Sequence, residues 1–364
     1  MTDEFRIKQK RIQALLEKHE LDGLLLQRVS NFAWATCGAA SYVNMAVSNG
    51  TSQLLITKAG RFLITNNIEA PRLIREEKLN EQRWDFIAPD WHNPDDPLGP
   101  LTKGLTIGSD SPLPGFVDMS NVITRMRATL TLPEIKRFRS LGQLCAQAME
   151  ATVRSVRPGQ SEYRIAAKLS HEAGKRGIQA IVNLVATDER IFSFRHPLPT
   201  HKKLDHYAML VLCGRKWGLV CSLTRLIHFG PLPNDLKEKA EAVAKVDATF
   251  IANTQPGQRL GDIFKRSIEV YTETGYPEEW QYHHQGGLAG YEPREIVATS
   301  RSEEIVSVGQ VYAWNPSITG TKSEDTILVT EQGHQILTAM KDWPIIPIEI
   351  NGQTLLRPAI LERN

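Results

Sequence analysis

The sequence predicts an α+β chain of two domains, a smaller α/β domain over residues 1–130 and a larger domain over residues 131–364. Three observations predict this organisation. Short apolar runs of strand length alternate with helical stretches in the first third of the chain. A helix-start signal follows near residue 131, and two pairs of helix-length stretches lie beyond it, separated by strand-like segments. A chain of 364 residues is long enough to bury the cores of two domains.

The smaller domain is predicted to begin with a helix and to continue as a sheet. Residues 5–20 carry apolar side chains at spacings of three and four, which predicts an amphipathic helix ending before Asp22 and Gly23. Three apolar runs of strand length follow, at residues 24–26, 54–56 and 62–65. Residues 68–77 are charged and helical in pattern, and residues 90–100, rich in Pro, Asp and Asn, are predicted to form a loop.

The larger domain is predicted to start with two helices. Pro133 and Glu134 are residue types favoured in the first turn of a helix, which predicts a helix over residues 134–156. Ser161 is a plausible N-cap for a second helix over residues 161–175. A further pair of helices is predicted at residues 235–254 and 260–274.

Composition excludes several classes of function. Forty-three basic and 41 acidic residues leave a formal net charge of +2, too little to attract nucleic acid or an anionic membrane surface. The N-terminal residues lack the order of a signal peptide, and no run approaches the roughly 18 apolar residues of a membrane span. Four cysteines without paired spacing favour a reducing compartment. We therefore expect a soluble, cytoplasmic protein.

The most informative segment is residues 282–295, YHHQGGLAGYEPRE. Its three glycines mark positions where the backbone takes a positive φ or approaches another group closely. His283 and His284 supply a possible acid or base, and Arg294 supplies a fixed cation. The alternative interpretation is a glycine turn with solvated histidines. If the segment is extended, the two histidines point to opposite faces, so at most one of them faces a pocket, and we favour His283.

The same segment resembles the last third of the pita-bread metallopeptidases, a family that holds aminopeptidase P, prolidase, methionine aminopeptidase and their metal-free relative creatinase. Other segments resemble the family in the same order, namely residues 196–199 (HPLP), 218–225 (GLVCSLTR), 314–317 (WNPS) and 323–330 (SEDTILVT). The resemblance implies a C-terminal pita-bread domain preceded by a smaller creatinase-type α/β domain. It also implies a homodimer, because N-terminal domains in this family commonly cover a neighbour's cleft.

The family's peptidases hold two divalent cations with two Asp, one His and two Glu. By the resemblance, the first Asp falls within residues 211–213 and the second at Ser222. The ligand His falls at Gly287 and the first Glu at Asn315, so that only Glu324 remains. One carboxylate does not hold two hard divalent ions. The sequence therefore predicts no metal and no cofactor.

Creatinase instead ends this motif in Gly-x-Glu-x-Arg-Glu, and residues 290–295 of this chain read GYEPRE. By the resemblance, His196 is the general acid/base, His283 a catalytic or substrate-facing histidine, and Arg294 the clamp for a substrate carboxylate. Glu324 is the candidate catalytic carboxylate. His284 and Asn315 are candidates for substrate binding. His196 on a surface loop and Glu324 as an ordinary strand-end charge are the alternatives for those two residues.

The resemblance implies a metal-independent hydrolase or lyase that cleaves a C–N bond in a small carboxylate-bearing amide, amidine or amino-acid-like molecule. A non-catalytic pita-bread module that binds a peptide or protein in the same cleft stays open as the alternative. A residual Xaa-Pro metallopeptidase is the third. A base kept beside a cation favours chemistry, because a binding module needs no such pair.

Overall fold

The computed structural model describes residues 2–93 and 96–364. These residues divide into two compact units. The first is Met1–Arg127 with Thr131–Glu134 and Trp217–Leu219, and the second is Ala128–Leu130, Ile135–Lys216 and Val220–Asn364. The predicted two-domain α+β organisation is confirmed, whereas the boundary at residue 130 stays a prediction.

A six-stranded mixed sheet forms the centre of the first unit, in the order β4-β3-β2-β1-β5-β6. Its strands are β1 (Gly23–Arg28), β2 (Asn49–Thr57), β3 (Arg61–Ile64), β4 (Asp85–Ile87), β5 (Ile107–Ser109) and β6 (Val117–Asp118). The helices are α1 (Asp3–Lys18), α2 (Val29–Ala35), α3 (Ala70–Arg75), α4 (Leu98–Thr102) and α5 (Ser120–Arg127), with a 3₁₀ turn at Leu79–Gln82. β2 runs antiparallel to β1 and β3, and β5 runs parallel to β1. Buried leucine and isoleucine side chains of these central strands form the core, as the apolar runs predict.

The second unit contains helices α6–α10 and strands β7–β19 of the described residues. The helices are α6 (Leu132–Val153), α7 (Glu162–Gly174), α8 (Glu189–Ser193), α9 (Asn234–Asn253) and α10 (Leu260–Glu273), with a 3₁₀ turn at Glu279–Tyr282. The strands are β7 (Gln179–Thr187), β8 (Tyr207–Lys216), β9 (Leu219–Phe229), β10 (Gly286–Ala289), β11 (Ile296–Val297), β12 (Val311–Trp314), β13 (Ser317–Ile318), β14 (Thr321–Lys322), β15 (Asp325–Thr330), β16 (Gly333–Ile336), β17 (Ile345–Ile350), β18 (Gln353–Pro358) and β19 (Leu361–Arg363).

Two sheets of this unit position the candidate site. One is antiparallel and has the order β11-β10-β12-β15-β16, and the other has the order β19-β9-β8-β7. An isolated bridge between Thr224 and Glu324 joins β9 to the segment before β15. α9 and α10 pack on the first sheet through an apolar cluster in which the rings of Phe250 and Trp314 stack at 4.4 Å between centroids.

The predicted helices of both units are present, and their ends differ from the predicted ends by about three residues or fewer, as is usual for boundaries predicted from sequence. Ser161 caps α7 by accepting a hydrogen bond from the Arg164 amide at 3.3 Å, which confirms the predicted N-cap. The predicted loop at 90–100 is wrong at its end, because α4 begins at Leu98. Pro94 and Asp95 of that loop lie outside the described residues. No helix in the described part of the chain has both the length and the apolar character of a membrane span.

Candidate functional site

Strand pairing brings two candidate residues, Asn315 and Glu324, to one end of the antiparallel sheet. Trp314 pairs with Gly286 on one side and with Asp325 on the other. Asn315 comes directly after Trp314, and Glu324 comes directly before Asp325. Since the strands are antiparallel, Asn315 and Glu324 therefore leave the sheet side by side, next to the histidines that precede β10.

Gly286 and Gly287 confirm the expectation that glycines of this segment take a positive φ and approach other groups closely. Their φ values are +99° and +148°. A Cβ at Gly287 would lie 2.2 Å from the carbonyl oxygen of Ile296, and one at Gly286 would lie 2.1 Å from that of Ala313. Residues with side chains rarely adopt such φ values, and here they also lack the space. A histidine side chain at position 287 is therefore excluded by this backbone.

His196, His283 and His284 form one cluster. The Nε2 atoms of His196 and His283 lie 2.9 Å apart, which is a hydrogen bond between the two rings. The rings of His283 and His284 stack with centroids 4.5 Å apart, and the His196 and His284 centroids are 5.9 Å apart. The expectation that the adjacent histidines point to opposite faces is wrong, because they lie between a 3₁₀ turn and β10 rather than within a strand.

The environment of the cluster holds its imidazoles in the neutral form. Burial, followed by the Lys322 charge, lowers the pKa of His283 to about 2. Burial and then Arg294 lower the pKa of His284 to about 4. Burial and Lys322 also lower the pKa of the more exposed His196. All three rings are thus uncharged near neutral pH, as a general base requires.

Arg294 forms a buried ion pair with Glu324. Its Nη2 lies 2.9 Å from Oε1 of Glu324, and its side chain is 10% exposed. Its Nη1 donates to the Ser222 hydroxyl at 3.3 Å and to the Pro293 carbonyl at 2.6 Å. The guanidinium therefore contacts two positions, 222 and 324, at which the resembled peptidases place metal ligands.

Lys322 is a member of the site that the sequence analysis missed. Its ammonium lies 3.1 Å from Oε2 of Glu324, and its side chain is buried. It also lines a small cavity together with His283, Phe194 and Met209. Lys322 thus links the histidine cluster to the Arg294–Glu324 pair. Lys322, Glu324 and Arg294 all lie close enough to His196 to act on its ring electrostatically: the two cations lower the pKa of His196 and Glu324 opposes them.

Glu324 is the anionic centre of this arrangement. Burial alone would raise its pKa, but Lys322, Arg294 and the Thr224 hydroxyl outweigh burial and lower the pKa to about 2. The Thr224 hydroxyl donates to Oε2 at 2.5 Å. Arg225 pairs instead with Asp325 at 2.8 Å, so Thr224 and Arg225 are structural groups in this arrangement. The carboxylate is ionised at neutral pH and has no proton to donate.

Three buried polar atoms in this region have no hydrogen-bond partner among the described residues: Nδ1 of His283, Nε of Arg294 and Oδ1 of Asn315. A buried polar group without a partner costs about 1–3 kcal/mol. A polar ligand that reached these atoms would recover part of that cost. The structure brings all six candidate residues of the sequence analysis to the same end of the sheet.

Comparisons with known proteins agree with this architecture. The family model described as "Metallopeptidase family M24" matches residues 136–331. An uncharacterized peptidase of Staphylococcus saprophyticus is 25% identical over 236 residues, which cover 61% of this chain and 66% of that protein. The chain thus matches just under two thirds of the length of that relative.

Solved structures match over nearly the whole chain. An Xaa-Pro dipeptidase from Bacillus anthracis has a TM-score of 0.77 at 21% identity, covering 93% of this chain and 98% of its own. The N-terminal domain of the FACT complex subunit SPT16 from chickpea, Cicer arietinum, has a TM-score of 0.71 at 11% identity, covering 93% and 97%. At these identities the likeness shows the pita-bread fold alone. Since the family model spans more than half of the sequence, the chain belongs to metallopeptidase family M24.

Proposed function

We propose that this protein is a metal-independent hydrolase that cleaves a C–N bond in a small carboxylate-bearing amide, amidine or amino-acid-like substrate. The observation that carries the proposal is the buried pair of cations, Arg294 and Lys322, which share the single carboxylate of Glu324 beside a neutral His196. Such a pocket offers a carboxylate a charged partner and places a base next to it.

The donor set does not fit the pair of metal ions that the family implies. Three of the family's four carboxylates are replaced, by Ser222, by Asn315 and by the non-carboxylate residues at 211–213, and the backbone at Gly287 admits no imidazole. Two hard divalent cations need several carboxylate and water oxygens each. The remaining carboxylate, Glu324, already binds two protein cations. No step of the proposed reaction is therefore assigned to a metal at these positions.

Charge balance supports a carboxylate as the bound group. Arg294 and Lys322 carry two positive charges, Glu324 carries one negative charge, and the three histidines are neutral. One positive charge remains, and a monoanionic substrate would neutralise it. In a pocket of low dielectric this pairing is stronger than at the surface. Two donors of Arg294 serve Glu324 and Ser222, so we assign the substrate carboxylate jointly to Lys322 and the unused Nε of Arg294.

His196 is the proposed general acid/base. Of the three imidazoles, those of His283 and His284 have pKa values lowered to about 2 and about 4, too low for protonation near neutral pH. In the proposed step, water attacks the carbon of the C–N bond and His196 accepts the proton of that water. The same proton then passes from His196 to the leaving nitrogen as the C–N bond breaks. Such general acid/base catalysis typically contributes about 10²–10⁴-fold.

The other candidates take supporting parts in this proposal. His283 hydrogen bonds to His196 through Nε2 and orients its ring. Glu324 holds the two cations and is a positioning residue rather than the catalytic carboxylate expected from the sequence, since both of its oxygens are occupied. Asn315 offers the free acceptor Oδ1 to a substrate N–H, and His284 lies at the exposed side of the cluster.

A binding module is the second candidate function, because exposed apolar side chains surround the histidines. Tyr282 is 64% exposed beside His283, and Leu198 is 71% exposed near His196. Phe194, which lines the same cavity as His283, is 50% exposed. Exposed apolar groups next to a polar cleft are typical of peptide or protein contacts. A binding module predicts affinity for an extended peptide without turnover.

The test is a turnover screen with chelator-treated protein whose metal content is verified by elemental analysis. Small carboxylates, amidines and Xaa-Pro dipeptides are incubated with the enzyme, and release of amine or ammonia is followed. We expect turnover that His196→Ala lowers by about 10²-fold or more. His201→Ala is the control, because it removes a solvent-exposed histidine on the same segment. Turnover that appears only after addition of Mn²⁺, Co²⁺ or Zn²⁺, or equal rates for both variants, would contradict the proposal.

A further inference from the structure

We infer that His196, His283 and His284 form a binding site for a single divalent transition-metal ion of the Zn²⁺ or Co²⁺ class. The site is separate from the positions at which the family holds its metal pair. It uses only imidazole nitrogens, whereas those positions now carry Ser222, Gly287 and Asn315. Three imidazoles with an open fourth position are a donor set that Zn²⁺ and related ions accept.

The distances are compatible with one ion. One ring nitrogen from each histidine lies within 4.8 Å of the others. A tetrahedral ion with Zn–N bonds of about 2.0–2.1 Å requires neighbouring nitrogens about 3.3 Å apart. The His196–His283 pair, at 2.9 Å, must open slightly, and His284 must move inward. His196 and His284 are exposed and free to reorient, whereas His283 is buried and fixed.

Few hydrogen bonds of the histidine cluster would have to break for a metal ion to bind. The hydrogen bond between the His196 and His283 rings joins their Nε2 atoms, and both atoms would become metal ligands. Binding of an ion would therefore replace this one hydrogen bond with two metal–nitrogen bonds. Nδ1 of His283 is buried and has no partner in the described part of the chain. Coordination of an ion through Nε2 of His283 therefore breaks no hydrogen bond at Nδ1 of that ring. The cluster is therefore open to rearrangement around a ligand.

The charged residues near the histidine cluster affect its expected affinity for a divalent ion. Lys322 and Arg294 act on the histidine rings and oppose a dication, while Glu324 acts in its favour. Both cations are paired with Glu324, which reduces their net effect. Lys322→Met removes one cation and leaves the Arg294–Glu324 pair in place. We therefore expect that variant to bind the ion more tightly than the wild-type protein does.

An ion at this site would occupy the nitrogen of His196 that faces the cluster. Resting on the proposed function, this predicts that the metal inhibits turnover, because the general acid/base is then coordinated. The binding site itself does not depend on that function. Spectroscopy of the bound ion therefore tests the metal site alone, and the turnover assay tests whether the metal inhibits the proposed hydrolase.

The experiment is a titration of the chelator-treated full-length protein with Co²⁺ at neutral pH, followed by the visible d–d absorption of the bound ion. We expect one Co²⁺ per chain with a tetrahedral spectrum, displaced by one equivalent of Zn²⁺. Loss of a residue that only supports a metal ligand lowers metal affinity by roughly 10- to 100-fold. Because His196→Ala and His284→Ala each remove a ligand, each should lower the affinity for Co²⁺ by at least that much. Lys322→Met should raise it. His201→Ala and His92→Ala, which remove exposed histidines elsewhere, should leave it unchanged.

Thermal unfolding of each variant checks that it remains folded, and the two exposed ligands make alanine tolerable at 196 and 284. Absence of a tetrahedral Co²⁺ spectrum in the wild-type protein would overturn the inference. So would a spectrum unaffected by both His196→Ala and His284→Ala. If the ion binds as expected and no substrate is ever turned over, the metal site stands and the proposed hydrolase falls.

Discussion

Nη2 of Arg294 lies 2.9 Å from Oε1 of Glu324, at the point where the strands of the antiparallel sheet end. The guanidinium also donates to Ser222, so a protein cation contacts two positions that hold metal ligands in the resembled peptidases. At these two positions the positive charge is therefore supplied by a side chain of the protein. We regard this exchange of a metal for side chains as the basis of the proposed activity.

The Arg294–Glu324 pair should be strongly coupled energetically. Arg294→Met leaves a buried carboxylate short of one partner, and we expect the free energy of unfolding to fall by about 3 kcal/mol. The double variant Arg294→Met/Glu324→Gln should cost less than the sum of the single changes, with a coupling of about 1–3 kcal/mol in a urea-denaturation cycle. The exposed pair Arg154–Glu150 is the control, for which we expect about 0.5 kcal/mol or less. Additive effects at 294 and 324 would show that the pair is not coupled.

Glu324 should make stability depend on pH in the acid range. Its folded pKa, about 2, lies below the ordinary value of 4.5, so its contribution to stability is complete above 4.5. That contribution is lost as the pH falls from about 5 to about 2. The difference in unfolding free energy between wild type and Glu324→Gln should therefore shrink over this range. Glu331→Gln, at an exposed position, provides the control. A difference that stays constant with pH would argue against an ionised, buried Glu324.

Gly287 should be intolerant of any side chain. Gly287→Ala forces a Cβ to within 2.2 Å of a carbonyl oxygen at a φ of +148°, and we expect a loss of stability above about 3 kcal/mol. Gly159→Ala is the matched control, since its φ is +82° and no atom lies within 4 Å of the added Cβ. Backbone strain alone should cost that variant about 1–2 kcal/mol. Equal melting temperatures for the two variants would contradict the steric explanation.

The homodimer implied by the family resemblance is a prediction about size in solution. Analytical ultracentrifugation at micromolar concentration should give a particle of twice the chain mass of 40.9 kDa. Dilution should not shift the distribution if the interface is of the size typical of stable homodimers, about 2,000 Å² or more. A single monomeric species at all concentrations would contradict the predicted homodimer.

Some of the site was predictable because its residues belong to a recognisable motif. The motif names His196, His283, Arg294 and Glu324 as candidates, and its glycines indicate the close backbone approach that the structure shows. Periodicity also located the long helices, because their apolar faces repeat every three to four residues.

Other parts required the structure. Lys322 is 7% exposed, yet a lysine in a strand as short as β14 gives no signal in the sequence that it is buried. The stacking of His283 and His284 was missed because alternation of faces holds only within a strand, and these residues precede β10. The role of Glu324 as the shared partner of two cations also follows only from distances.

The most direct test of the central claim is substrate binding by metal-free protein. A thermal-shift titration of chelator-treated wild type with small amides and amidines, each with and without a carboxylate, measures whether the cationic pair recognises that group. We predict that the carboxylate-bearing compounds alone raise the melting temperature, and that Lys322→Met and Arg294→Met each abolish the shift. Shifts that are equal with and without the carboxylate, or that require added Mn²⁺, Co²⁺ or Zn²⁺, would contradict the account.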